Sequence, residues 1–220
     1  MAGFKPHLTS GLLAGAAFAA AGAGLGILEP TQTGAVFVLG VVGALLPDLD
    51  SDTGKPLAFL SQVVSVLVPT MLWLRLAGGP DLTAETAICY FTLAYLVVYH
   101  GVCGLIRRLT VHRGMMHSVP FCLTCGGAAF LLMENSGRAV AAWAALTVGI
   151  SCMLHLMLDE YHAVYLKFGF LPAVRRSRGT AFKLRSDSLP ATLAAYGITA
   201  LVTAAICYRV FFSQFSPPRL

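Results

Sequence analysis

Long apolar stretches, several close to or above 20 residues and separated by short polar turns, constrain this chain more than any other feature. A helix that crosses the hydrocarbon core of a bilayer needs about 20 apolar residues. The other spanning solution, a closed β-barrel, reads as short alternating segments. The stretches here are continuous, so helices must satisfy the backbone internally. The expected fold is all-α, a polytopic membrane helical bundle of about six to seven spans in one membrane-embedded domain over residues 1–220. Charge content agrees. Charged residues make up 11% of the chain, against about 25% in soluble domains. A separate soluble domain is not expected.

Seven spans can be placed, at 8–28, 33–46, 57–76, 84–106, 116–133, 139–158 and 190–212. The second is short for a crossing. Pro47 stops it, and Asp48-Leu49-Asp50-Ser51-Asp52 follows. Gly78-Gly79-Pro80-Asp81 and Glu134-Asn135-Ser136-Gly137 read as turns. Gly22-x-x-x-Gly26 in the first span offers a flat surface for close helix packing. Lys5 ahead of the Ala/Gly-rich run has the outline of a signal peptide. An uncleaved first span is the expectation, since cleavage would discard His7. Residues 163–187 form a basic connector before the last span.

The net charge of +5 reports topology and contact with lipid headgroups in a protein of this kind. Nucleic acid is not an expected partner. If every span crosses, eleven of the fifteen Lys and Arg residues fall on the side of the N-terminus and four on the other. Positive charge stays inside, so that face is expected to be cytoplasmic. The inference depends on the short second span crossing. The six cysteines all fall in apolar segments and read as small buried hydrophobes. Cys122-x-x-Cys125 has the spacing of a redox or zinc motif but stands alone in an apolar run, with no second pair, so it is a weak signal.

The same alternation gathers metal-capable residues at the N-terminal face. His7 precedes span 1, and Asp48 and Asp50 follow span 2. His112 and His117 lie between spans 4 and 5, and His155 and Asp159 end span 6. Asp is a poor choice at a helix C-terminus, where the dipole is negative. A cation at Asp48 and Asp50 would remove that conflict. His112 and His117 do not share one face of an ideal helix, but Gly114 between them can break the helix and let both converge. His155 and Asp159 are one turn apart on one face. Both can hold a metal, or Asp159 can orient the imidazole. His162 extends their stripe. Glu160 points elsewhere, as a headgroup-facing residue or a general base. Arg113 suits a phosphate or carboxylate, because its fork binds oxygen pairs. The run from Arg175 to Arg185, with Lys183 and Arg185, reads either as lipid contact or as a lid with phosphate ligands. His100, alone inside span 4, is a packing residue or a functional one. His and Asp donors suit zinc, or manganese where carboxylates dominate. Seven candidate ligands exceed what one ion needs, so one to three ions are expected.

His7 before the first span, Pro47-Asp48-Leu49-Asp50, His112-Arg113-Gly114-x-x-His117-Ser118 and His155-x-x-x-Asp159 together resemble the YdjM-like family of membrane-bound metal-dependent hydrolases. The resemblance covers residues 5 to 160. That family is in turn similar to the zinc-dependent phospholipase C and single-strand nuclease superfamily, whose helical sites bind a metal cluster and cut phosphate esters. The resemblance implies His7, Asp48, His117, His155 and Asp159 as ligands, with Asp50 and His112 next. It also implies a place in a bacterial inner membrane. The chain departs from the superfamily in having Met1 six residues ahead of His7, so an N-terminal amine ligand is not in place.

The expected function is hydrolysis of a phosphoester of a lipid or lipid-linked substrate at the cytoplasmic face. Arg113 and Glu160 are its candidate catalytic residues. Arg113, Ser118, Lys183 and Arg185 are its candidate substrate contacts. A divalent-metal transporter is the alternative, as is a structural or regulatory protein whose metal only staples helices. A transport pathway needs polar groups near mid-membrane, where His100 is the one candidate.

Overall fold

In the computed structural model the backbone is described for residues 4–50, 54–76, 83–105, 115–167, 171–174, 184–185 and 188–211. Seven long helices lie among these residues: α1 (Phe4–Gly24), α2 (Pro30–Leu45), α3 (Gly54–Leu76), α4 (Ala84–Leu96), α5 (Val119–Met133), α6 (Arg138–Tyr161) and α7 (Leu189–Phe211). A 3-10 turn, Leu46–Asp50, continues α2, and a π-helical segment, Val97–Val102, continues α4. The fold is the expected all-α membrane bundle. Part of the connector forms a short hairpin. Strands β1 (Val164–Lys167) and β2 (Leu171–Val174) pair antiparallel, with Val164 opposite Val174 and Lys167 opposite Leu171.

Local sequence explains the helix ends. Gly26 adopts a left-handed φ of 68° two residues past α1, a conformation that favours glycine. Pro30 opens α2, where its missing N–H is no loss. The Gln32 side chain accepts the Glu29 N–H at 2.9 Å. Ser118 caps α5 by accepting the Phe121 N–H at 3.3 Å.

Four of the helical segments are long and apolar enough to cross a membrane: Pro30–Asp48, Glu85–Leu105, Arg138–Tyr161 and Leu189–Phe211. The first takes in the first three residues of the 3-10 turn. The span that looked short in the sequence thus reaches 19 residues, because the chain continues as a helix of another kind past Pro47.

α1 packs chiefly on α2 and α5 on α6, while α2 and α6 join the two pairs. The core runs through Val36 and Leu39 of α2, Cys122 and Ala129 of α5, and Ala141, Ala144, Val148, Cys152 and Leu156 of α6. Glycines set the spacing. A Cβ added at Gly40 would stand 2.5 Å from the Gly15 Cα, and one at Gly43 would stand 3.0 Å from the Val148 carbonyl oxygen. No real Cβ tolerates the first contact, so α1 and α2 cross where both lack a side chain. The expected Gly22/Gly26 surface is different. Gly22 makes room for Leu28 and Trp143, whereas Gly26 lies beyond the helix with nothing near it. The packing stripe of α1 is His7, Gly11, Gly15 and Gly22. It is spaced by whole turns, so the first histidine lies on the same face as the helix contact.

At the opposite end of the bundle, Arg209 Nε lies 3.9 Å from Glu134 Oε2, and Arg138 donates to the Val210 carbonyl at 3.2 Å. The C-terminus of α7 therefore sits at the α5–α6 turn. The start of α5 and the end of α6 share the other end of the bundle with the start of α1 and the end of α2.

Candidate metal centre

Five side chains from four helices meet at that shared end. His7 comes from the first turn of α1, and Asp48 from the 3-10 turn after α2. His117 immediately precedes the Ser118 cap of α5. His155 and Asp159 come from the last turns of α6. His7, His117 and His155 are at most 1% exposed, and Asp159 is 6% exposed. Such polar groups avoid burial in a bundle core unless they are paired or hold a metal.

The distances resemble the edges of a coordination shell. His155 Nε2 is 3.6 Å from Asp48 Oδ1 and 3.9 Å from Asp159 Oδ2. His117 Nε2 is 3.9 Å from Asp48 Oδ1 and 3.6 Å from Asp159 Oδ2. His7 Nε2 is 3.3 Å from Asp159 Oδ1. Most of these separations are too long for a hydrogen bond. Nitrogen and oxygen donors about 2.0–2.2 Å from one tetrahedral ion stand roughly 3.3–3.6 Å apart. Two overlapping donor groups, His7–Asp48–His155 and His117–His155–Asp159, have their ligand atoms within 4.8 Å of one another.

His155 is already oriented for such a role. Its Nδ1 lies 2.7 Å from the Ala44 carbonyl oxygen. A carbonyl only accepts, so Nδ1 carries the proton and Nε2 presents its lone pair. That buried Nε2 has no hydrogen-bond partner among the described residues. An imidazole held through one nitrogen with the other left bare is the usual posture of a metal ligand. The donor set, three imidazoles and two carboxylates, therefore fits a divalent ion.

Ring geometry limits the sharing. The His7 and His155 rings stack with centroids 3.7 Å apart and planes 12° from parallel. A lone pair lies in the ring plane, so near-parallel rings at this spacing cannot both direct theirs at one ion about 2.0–2.1 Å away. Asp159 faces both positions, with Oδ1 toward His7 and Oδ2 toward His117 and His155.

The other candidates separate clearly. His112, Arg113 and Lys183 lie outside the described residues, and of Asp50 only the backbone is described. Ser118 is fully buried. Its hydroxyl donates to the Met115 carbonyl while it caps α5, which fixes the backbone beside His117. Glu160 is half-buried and Arg185 exposed. His162 turns back onto its own helix, with Nδ1 2.9 Å from the Leu158 carbonyl. His100 is exposed in the π-helical segment, edge-on to Tyr99. Of the cysteines, Cys103, Cys122 and Cys152 are buried, but Cys89 and Cys207 are exposed on α4 and α7. The sequence reading did not include the Ala44 carbonyl. Its signal was Pro47, whose missing N–H leaves α2 carbonyls open.

A helical membrane protein with a buried His/Asp cluster able to hold a metal ion at one end of its bundle is the class defined by this fold and site. The chain belongs to the YdjM inner membrane protein family, whose model matches residues 1–216. It is accordingly an integral inner membrane protein. No curated protein and no solved structure matches it.

Proposed function

We propose that this protein is a metal-dependent hydrolase that cleaves a phosphoester of a lipid or lipid-linked substrate at the cytoplasmic face. The observation that carries the reading is the convergence of His7, Asp48, His117, His155 and Asp159 in one buried cluster with shell-like spacing. Zinc suits the imidazole-rich set, with manganese the alternative. Two ions would suit the ring geometry: His117 and His155 would hold one and His7 the other, with Asp159 facing both. When bound, the metal supplies Lewis acidity toward water and phosphoryl oxygens.

The protein residues supply the rest. The Ala44 carbonyl holds the His155 ring in one tautomer, and Asp48 and Asp159 balance the cationic charge. Glu160, adjacent to Asp159, takes a proton from water. Arg113, with Lys183 and Arg185, holds the phosphate through charge-assisted hydrogen bonds. Because the cluster lies at the ends of membrane helices, an amphiphilic substrate reaches it from the bilayer edge. The excess of Lys and Arg at the N-terminal face supports a cytoplasmic orientation.

Elemental analysis of detergent-purified protein, with phosphoester hydrolysis by metal-stripped and reloaded samples, tests the reading. The expected result is about two zinc or manganese ions per chain, lost together with hydrolysis in a His155→Ala, Asp159→Ala variant. Wild-type protein that takes up no metal after incubation would falsify the metal assignment. Metal uptake without hydrolysis would favour a stapling role, and metal flux into liposomes would favour transport.

A further inference from the structure

Pro47 lies between the end of α2 and the ligand Asp48, and a stop signal is the obvious role for it. Its position relative to two carbonyls says more. In a continuous α-helix the N–H of residue 47 would bond to the Gly43 carbonyl and that of residue 48 to the Ala44 carbonyl. The regular pattern persists as far as Leu46, whose N–H bonds to the Val42 carbonyl. Pro47 has no N–H to give to Gly43. From Leu46 the chain tightens into the 3-10 turn Leu46–Asp50, where each N–H reaches back three residues instead of four. Asp48 then addresses Leu45, and Ala44 is released as well.

Both released carbonyls are taken by α6. The Cys152 thiol donates to the Gly43 oxygen at 3.0 Å, and His155 Nδ1 donates to the Ala44 oxygen at 2.7 Å. Cys152 and His155 lie one turn apart on the buried stripe of α6. They match the two consecutive open acceptors. Gly43 itself lets the helices approach closely enough for this, since a Cβ there would meet Val148 and Ser151 at 3.0–3.1 Å.

We infer that Pro47 is a positioning residue: by withholding one N–H and forcing the 3-10 turn, it presents the Ala44 carbonyl to His155. The ring is thereby locked as the Nδ1–H tautomer, with Nε2 turned toward Asp48 and Asp159. This deepens the metal-site reading above and rests on it for its purpose, but the tautomer itself is readable without metal or substrate.

The test is ring-nitrogen NMR on metal-free, 15N-histidine-labelled protein in detergent, with the His155 signals assigned by their loss in His155→Asn. Wild type is expected to show a single Nδ1–H tautomer. Pro47→Ala restores the donor to Gly43. It is expected to convert His155 to a mixture of tautomers and to weaken zinc binding by about 10–100-fold, as loss of an outer hydrogen-bond partner does. Pro69→Ala, which repairs a proline inside α3, is expected to change neither. A wild-type His155 protonated at Nε2 overturns the inference, whether or not the Pro47 variant folds. So does a folded Pro47→Ala protein with wild-type ring signals and zinc affinity within twofold. Absence of hydrolysis with the tautomer as expected would instead count against the hydrolase reading alone.

Discussion

Helices α6 and α7 are near twins in length and apolarity and opposites by position. They have 24 and 23 residues, and both are apolar enough to span a bilayer. Half of the most apolar stretch of α6 is buried within the protein, and none of that of α7. Lipid tails are as apolar as leucine, so hydrophobicity brings a helix into the membrane without drawing it into the bundle centre. Small residues alone do not make the difference, since both helices are rich in them; the stripe along which α6 buries them, and its ionisable end, do. α6 buries Ala141, Ala144, Thr147, Ser151 and Cys152 on one stripe that ends in His155 and Asp159. α7 turns Leu193, Leu201, Tyr208 and Phe211 outward. It meets α5 through a hydroxyl pair, Thr124 and Thr199 at 2.9 Å, and through Val202 lying over Gly127. The central helices carry the site.

The widest contrast should appear in metal binding. His155→Ala removes a central donor and is expected to weaken zinc affinity by more than about 100-fold, beyond the effect of losing an outer partner. His100→Ala, in the exposed π-helical continuation of α4, should leave affinity unchanged in the same titration. Equal losses from both would erase the distinction between centre and periphery.

Next come the glycines. Gly40→Ala forces a Cβ to within 2.5 Å of the Gly15 backbone, and overpacking of this kind costs about 1–3 kcal/mol. Gly197 in α7 has open space around it. Gly197→Ala should be neutral or stabilising by up to about 1 kcal/mol, from helix propensity. Thermal unfolding of both variants in one detergent reads the difference.

A leucine pair probes packing alone. Leu156 is fully buried in α6, while Leu201 in α7 is 72% exposed. Leu156→Ala should cost about 2 kcal/mol, the low end for such a cavity, because transfer from lipid adds nothing. Leu201→Ala should stay within about 0.5 kcal/mol. Similar losses in denaturant titrations of the two would mean that α7 is packed as tightly as α6.

The smallest effect concerns the seam between α5 and α7. Thr199→Val keeps the shape and removes the hydroxyl that meets Thr124 and the Pro120 carbonyl. About 0.6 kcal/mol is expected, the average for such bonds in membranes. A loss several times larger, measured as reversible unfolding, would move α7 into the structural core.

Several parts of this arrangement were legible before any coordinates. His155-x-x-x-Asp159 shares a helix face by periodicity alone, and the structure puts both into the cluster. His7, Asp48 and His117 were placed near them by counting spans, which works because each crossing returns the chain to one of two faces. Other parts were not legible. Gly22-x-x-x-Gly26 looks like a packing motif, yet the helix ends before Gly26. Span 2 looked short because Pro47 usually ends a helix, and here the chain goes on as a 3-10 turn. Ser118 reads as a substrate contact in the His112–Ser118 motif, and the structure shows its hydroxyl capping a helix.

The sequence by itself determined that the chain is a bundle of membrane helices with its metal-capable His and Asp residues gathered toward one end. Length, continuous apolarity and helical period are local properties, and a bilayer offers few ways to satisfy them. Only the tertiary structure decided which helices are central, which nitrogen of His155 is bare, and that His7 stacks on His155 while Asp159 faces both. Those outcomes depend on how closely two backbones approach and on which carbonyl meets which ring. Distances of that kind are set by packing between segments more than 100 residues apart, such as Ala44 and His155.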